Sequence, residues 1–179
     1  MKPNSLQELY VEQLRDLYDA EQQIIKALPE MIDAATSEDL KEALEEHLEV
    51  TRSQATRLEK IFGKLGEKPK GEQCKGMHGV IEEGSDLVDD VEDADVRDAA
   101  IIASAQRVEH YEMAGYGTAR TYAKLLGQNE AGELLQQTLD EEKEADQTLT
   151  ELADEINVNA KPGKLKGEKT TATKGRKVA

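Results

Sequence analysis

An all-α fold, four long helices bundled with an extended crossover between the second and third, is predicted for this 179-residue chain by three observations. Apolar residues recur at three-and-four spacing over four long stretches. Aromatic residues make up only 3% of the chain, and four Pro and thirteen Gly are too few for the many turns of a sandwich or barrel. The links within the first and second pairs of stripes are short, whereas about thirty residues separate the two pairs.

The first stripe, Leu6, Leu9, Tyr10, Leu14, Leu17, Tyr18, Ile24, Ile25, Leu28 and Ile32, predicts a helix from about Ser5 to Ala35, with Pro29 as a kink point. Thr36 or Ser37 can cap a second helix, with Glu38 and Asp39 in its first turn. Its stripe runs through Leu40, Leu44, Leu48, Thr51, Ala55, Leu58 and Phe62, and Gly66 and Pro69 end it. Residues 67–79 read as irregular chain, followed by a short helix from Val80 to Val91. The third long helix is expected from about Asp95 to Leu126 with Gly127 as its C-terminal cap. Asn129 can start the fourth, whose stripe is Leu135, Leu139, Leu149, Leu152 and Ile156. Two antiparallel hairpins joined by a long connection leave the second and third long helices parallel, which is the ferritin-like connectivity.

Charge divides the chain into a body and a tail. Residues 161–179 hold seven Lys and Arg against one Glu, so of the overall −15 the tail carries +6 and residues 1–160 carry −21. A tail of Lys, Gly, Thr and Ala cannot recover its ordering entropy by burial, so the bundle domain is expected over 1–160 and a basic disordered tail over 161–179. The acidic body repels phosphate backbones, leaving the tail as the only candidate contact for nucleic acid, with simple solubilisation as the blander role. Met1-Lys2-Pro3-Asn4-Ser5 leads directly into an amphipathic run, and no apolar stretch approaches membrane-spanning length. A cytoplasmic protein with no membrane partner is therefore expected. A lone cysteine, Cys74, excludes an intramolecular disulfide framework and a Cys-rich metal site, so any metal must rely on carboxylate and imidazole.

The informative residues are the polar ones that interrupt the stripes. Glu21 lies four after Leu17 and three before Ile24, and His47 lies three after Leu44 and four before Thr51. Glu109 lies four after Ala105, and Glu112 lies four after Val108 and four before Tyr116. Glu142 lies three after Leu139 and seven before Leu149, with Asp146 four further on. Every long helix thus points at least one ionisable group inward, and five neighbouring acids cannot all stay charged in an interior without cations. Two divalent ions would neutralise most of that charge, and oxygen ligands with one imidazole suit iron or manganese better than magnesium or zinc.

Each residue also has a blander reading. Glu21 could pair with a neighbouring base, His47 could be a hydrogen-bonded core histidine, and Glu109 and Glu112 could pair with Arg107 or with a second subunit. The run Asp140-Glu141-Glu142-Lys143-Glu144 is mostly a solvated face, from which the helical phase selects Glu142. His110, one step of about 100° from Glu109, falls off the ligand face and is a candidate outer donor or interface residue. His78, in the crossover, receives no role.

The segments Leu17-Tyr18-Asp19-Ala20-Glu21-Gln22, His47-Leu48-Glu49 with Thr51 and Gln54, and Cys74-Lys75-Gly76-Met77-His78-Gly79-Val80-Ile81-Glu82-Glu83 resemble the YciE/YciF-type ferritin-like stress proteins of bacteria. More specific are Asp98-Ala99-Ala100-Ile101-Ile102, Ala105-Gln106-Arg107-Val108-Glu109-His110-Tyr111-Glu112, and Thr138-Leu139-Asp140-Glu141-Glu142-Lys143 with Asp146. The resemblance covers residues 6–158 and implies a small bundle, commonly a homodimer, related to the carboxylate-bridged di-metal superfamily of rubrerythrins, ferritins and manganese catalases. Stress induction is that family's usual association, and its function is described as unknown.

Two departures stand out. The superfamily supplies Glu-x-x-His twice, whereas here Leu44 stands three before His47 and Ala145 three after Glu142. Val50 stands where family members carry a Glu, so it cannot be a ligand. The expected ligand set is Glu21, His47, Glu109, Glu112, Glu142 and Asp146, holding two iron or manganese ions for metal handling or for peroxide or oxygen consumption. Two other readings stay open: a dimeric structural protein without catalytic metal, and a tail-mediated nucleoid protein. A mineral-storing shell is not expected, because no further helix follows Asn159.

Overall fold

A computed structural model describes residues 3–161, which form five helices and no strand. Helix α1 (Leu6–Ala34) starts at Ser5, whose hydroxyl accepts from the Glu8 amide, and continues through Pro29. Helix α2 (Glu38–Leu65) starts at Ser37 and ends at Gly66, which takes the left-handed φ of 67° that an L side chain resists. The three-residue link between them is locked from outside. The buried Asp98 carboxylate accepts from the Thr36 amide at 2.8 Å, the Thr36 hydroxyl at 2.6 Å and the Ser37 amide at 2.8 Å.

The crossover differs from expectation at its start. Helix α3 (Lys75–Asp89) begins five residues before Val80 and ends two before Val91. Gly76 and Gly79 argued against a helix there, but tertiary contacts override that weak propensity. The Cys74 thiol accepts from the Met77 amide at 3.4 Å, and Cys74 and Met77 are both buried. Gly76 is required by a close approach: a Cβ at that position would stand 2.7 Å from the Tyr111 ring.

Helix α4 (Ala94–Leu125) is capped by Asp93, and helix α5 (Asn129–Asn159) follows a turn in which Gly127 has a φ of 72°. The Gln128 amide donates back to Ala123 O at 2.8 Å, closing α4 in a Schellman-type turn around Gly127. Helix α1 packs on α2 and α4, and α5 packs on α4 and α2, so the four long helices close a ring with α3 laid against α1 and α4.

The core has two apolar clusters. One gathers Tyr10, Leu14, Leu17, Leu58, Phe62, Tyr116 and Leu135; the other gathers Ile24, Leu28, Leu40, Leu44, Ile101, Ile102, Val108 and Leu149. Each long helix places buried polar residues between the two clusters: Glu21 on α1, Thr51 and Gln54 on α2, Glu109 and Glu112 on α4, Glu142 on α5; buried Asp98, Ser104 and Thr138 lie apart, alongside one cluster or the other. The predicted tail lies, from residue 162 onward, outside the described residues. No helix among the described residues is long and apolar enough to cross a membrane.

Candidate metal centre

The belt between the two clusters is a convergence of acids. One ligand atom each from His47, Glu109, Glu112 and Glu142 lie within 4.8 Å of one another, brought together from α2, α4 and α5. His47 Nε2 stands 3.3 Å from Glu109 Oε1, with the His47 side chain 10% and the Glu109 side chain 3% exposed. Glu21, fully buried on α1, stands just outside this tetrad, and its charge acts on Glu109 and Glu112.

Two polar residues support the acids. The Tyr116 hydroxyl donates to Glu21 Oε1, and Gln54 Nε2 donates to Glu142 Oε1 and, at 3.3 Å, to Glu141 Oε2. Glu141 is in turn held by Arg57, whose two terminal nitrogens donate to its two oxygens at 2.6 Å each, while Arg57 Nη1 also donates to Thr138 Oγ1 at 2.9 Å. This two-pronged pair is the strong form of carboxylate–guanidinium contact. It ties α2 to α5 beside the site.

What remains unpaired is more telling. Glu21 Oε2, Glu109 Oε2, Glu142 Oε2, both oxygens of Glu112 and His47 Nε2 are buried without a hydrogen-bond partner. Each buried orphan disfavours the fold by about 1–3 kcal/mol, more if charged. Burial therefore raises Glu21, Glu109 and Glu112 well above the usual carboxylate range, helped by the neighbouring Glu142 charge in each case. Glu142 is pushed up to about 7, again chiefly by burial; a proton shared with Glu109 opposes the rise most, Glu141 adds to it and Gln54 opposes it. Burial moves His47 the other way, down to about 4, so its imidazole is neutral and free to ligate. Tyr116 is raised well above its ordinary value by burial and by Glu21.

A metal fits these residues. The orphaned oxygens of Glu21, Glu109, Glu112 and Glu142 and Nε2 of His47 are donors of the kind a divalent cation takes, whereas the other buried orphans, Tyr10 Oη, Gln54 Oε1 and Arg120 Nε, are not drawn into that group.

Of the six ligands expected from sequence, four form the tetrad and Glu21 adjoins it. Asp146 is not brought in. Its side chain is 24% exposed, and Oδ1 accepts from Gln106 Nε2 at 3.1 Å and stands 3.4 Å from His110 Nε2. Four residues after Glu142, it has moved one turn along α5 and round toward α4's outer edge. His110 is off the ligand face as expected, and His78 is exposed away from the tetrad. Arg107 is also exposed and pairs with neither Glu109 nor Glu112. Glu141, read from its charge run as solvated, is instead half-buried and bound to Arg57. Gln54 and Tyr116 went unassigned. Gln54 did carry a signal, since it lies three after Thr51 and four before Leu58 on the buried stripe.

Comparison with known proteins places this architecture. The family described as "Domain of unknown function (DUF892)" matches residues 5–161. Protein YciF of Escherichia coli (strain K12) is 41% identical over 162 residues, covering 90% of this chain and 97% of that protein. The crystal structure of the E. coli stress protein YciF superposes with a TM-score of 0.84 at 41% identity, covering 89% of this chain and all of that one. A solved structure described as "YcfI, a putative structural protein from Rhodopseudomonas palustris" gives a TM-score of 0.80 at 46% identity, covering 82% of this chain and 94% of that one. A Xanthomonas campestris protein at 20% identity, TM-score 0.71, over 87% of this chain and 96% of that one, shares the fold.

Proposed function

The chain belongs to the DUF892 family, a domain family of unknown function, and for it we propose a di-metal carboxylate protein that binds iron or manganese. Its service would be metal handling, or consumption of peroxide or oxygen. The observation that supports this reading is the set of buried donor atoms on His47, Glu109, Glu112 and Glu142 that have no protein partner. His47, Glu109 and Glu142 would be terminal ligands, and Glu112, with both oxygens free, the candidate bridge. Glu21 would complete the charge balance. When bound, such ions supply Lewis acidity and redox capacity. The chain's own part is to hold the donors and limit water: Gln54 and Tyr116 each fix one oxygen of a glutamate and leave the other available. A stress-related setting is proposed because the E. coli relative is described as a stress protein.

Anaerobic calorimetric titration of the metal-free chain with iron(II) and manganese(II) tests this. Saturation near two ions per chain, with proton release from the raised carboxyls, is expected. Glu109→Ala should lose at least one of those ions, and an unchanged stoichiometry in that variant would count against the assignment.

A second reading has its own support. The acids raised by burial can sit uncharged without a cation, so the bundle could be a structural protein pairing through a helix face. In that case its melting temperature would ignore both metals, because only a ligand of the folded state raises stability. We also propose a homodimer, for light scattering to confirm or reject. Association of the basic residues 161–179 with nucleic acid is proposed as an accessory activity. Their deletion should erase DNA binding at low salt, and retention of binding by 1–160 would reject it.

A further inference from the structure

Beside the acidic belt the bundle is split by a cleft. Between α2 and α5 lies a cavity of about 530 Å³, floored by α1 and α4. It opens to solvent along one side, so it is a cleft rather than a sealed void. It falls within the range of small-molecule sites, about 300–1,000 Å³.

The cavity is graded from mouth to floor. Its walls are apolar, with Ile24, Leu28, Met31, Leu44, Val108 and Leu149 facing it. Its deepest polar groups are His47 and Glu109, whose Nε2 and Oε2 atoms are buried and unpartnered. Four glutamates line its outer part: exposed Glu46 and Glu144, which make no ion pair among the described residues, exposed Glu49 paired with Arg52, and half-buried Glu141 paired with Arg57. Small residues on the two walls, Ala43 on α2 and Ala145 on α5, keep it open.

We propose that this cleft is a binding site for an apolar organic molecule with an aliphatic or aromatic body and no negative charge, lying between α2 and α5 with one end against His47 and Glu109. The walls would remove the body from water, which is the dominant gain for such a ligand. The glutamates at the mouth would repel an anion entering the cleft. The assignment goes beyond the metal reading and does not need it, since none of the apolar wall residues is a ligand in that reading.

The test is fluorescence titration of the metal-free full chain with the neutral probe N-phenylnaphthylamine. Saturable one-to-one enhancement, reversed by decanol and at least about tenfold less readily by decanoate, is expected. Absence of saturable binding would overturn the site, and equal displacement by decanoate would overturn its charge preference. Ala145→Trp and Ala43→Trp fill the cleft from opposite walls and should each weaken binding at least about tenfold, while Ala103→Trp on the exposed face of α4 should not. Circular dichroism checks folding; if one filled variant fails to fold, the other decides, and undiminished binding in a folded filled variant rejects the cleft. Loss of probe binding as protein concentration rises would show the cleft covered by a second copy, and would likewise overturn the proposal. Because these measurements use metal-free protein, their failure leaves the metal titration untouched.

Discussion

Both oxygens of Glu112 are buried, and neither has a hydrogen-bond partner. Such a residue destabilises the metal-free fold whether it stays charged or takes up a proton, because the protonated acid still leaves a donor and an acceptor unmet. Even a buried ion pair can often be replaced by apolar residues of similar volume at no cost or with a gain of about 1–4 kcal/mol, and a buried acid with no partner has still less to lose. Glu112→Leu should therefore raise the melting temperature of the metal-free protein by several degrees. If the proposed centre takes iron(II) or manganese(II), the same variant should lose the stabilisation those ions give the wild type. Differential scanning calorimetry with and without metal reads both effects; a Glu112→Leu protein less stable than metal-free wild type would show that this carboxyl has a structural partner. Residues of this kind were legible in the sequence because an acid inside an apolar stripe is conspicuous. Asp146 satisfied the same phase rule yet turns toward Gln106 and His110. Phase places a residue on a face to within about one step, and it cannot say which neighbour a side chain at the edge of that face will choose.

At the scale of single helices, α3 shows how contacts decide what propensity leaves open. Gly76 and Gly79 are both inside it and only three residues apart, yet their surroundings differ. A Cβ at Gly76 would meet the Tyr111 ring at 2.7 Å, whereas a Cβ at Gly79 meets nothing within 4 Å. Removing a helical glycine gains up to about 1 kcal/mol where space allows. Gly79→Ala should thus stabilise by about that much, and Gly76→Ala should destabilise, because the Tyr111 hydroxyl is held by Asp16 at 3.2 Å and by the Cys74 thiol at 3.0 Å. Urea melts of the two variants decide it, and equal shifts of the same sign would contradict the packing described here. The four long helices were legible from their stripes to within one or two residues at each end. The start of α3 was not, since its cap is a thiol and its first turn contains a glycine chosen for a partner on α4. The Arg57–Glu141 clamp between α2 and α5 was likewise invisible, because a charge run reads as solvated until the facing helix is known.

For the whole molecule, the buried acids set the dependence of stability on pH. A carboxyl raised by folding contributes stability that is complete below its unfolded value and lost as pH rises through its folded value. Glu142 covers the interval from 4.5 to about 7, and Glu21, Glu109 and Glu112 are raised in the same direction. His47 acts oppositely: lowered from 6.5 to about 4, it contributes stability above its unfolded value that is lost as pH falls through the folded one. Four acids outweigh one imidazole, and the net charge of −15 adds repulsion as pH rises. The metal-free protein should therefore become less stable from about pH 5 to about pH 8, a slope the metal-loaded protein should flatten or reverse because ligands bind deprotonated. Thermal melts across that range test it, and a metal-free protein that gains stability toward alkaline pH would contradict the burial assigned to these acids.

In the proposed centre, cations satisfy the donors gathered between the two apolar clusters. Elemental analysis of protein purified without an affinity tag, then reloaded anaerobically with iron(II) or manganese(II) and desalted, decides whether they do. Close to two ions per chain, with a raised melting temperature, is the predicted result. No retained metal and an unmoved melting temperature would contradict it, and would make the inward acids part of a structural bundle.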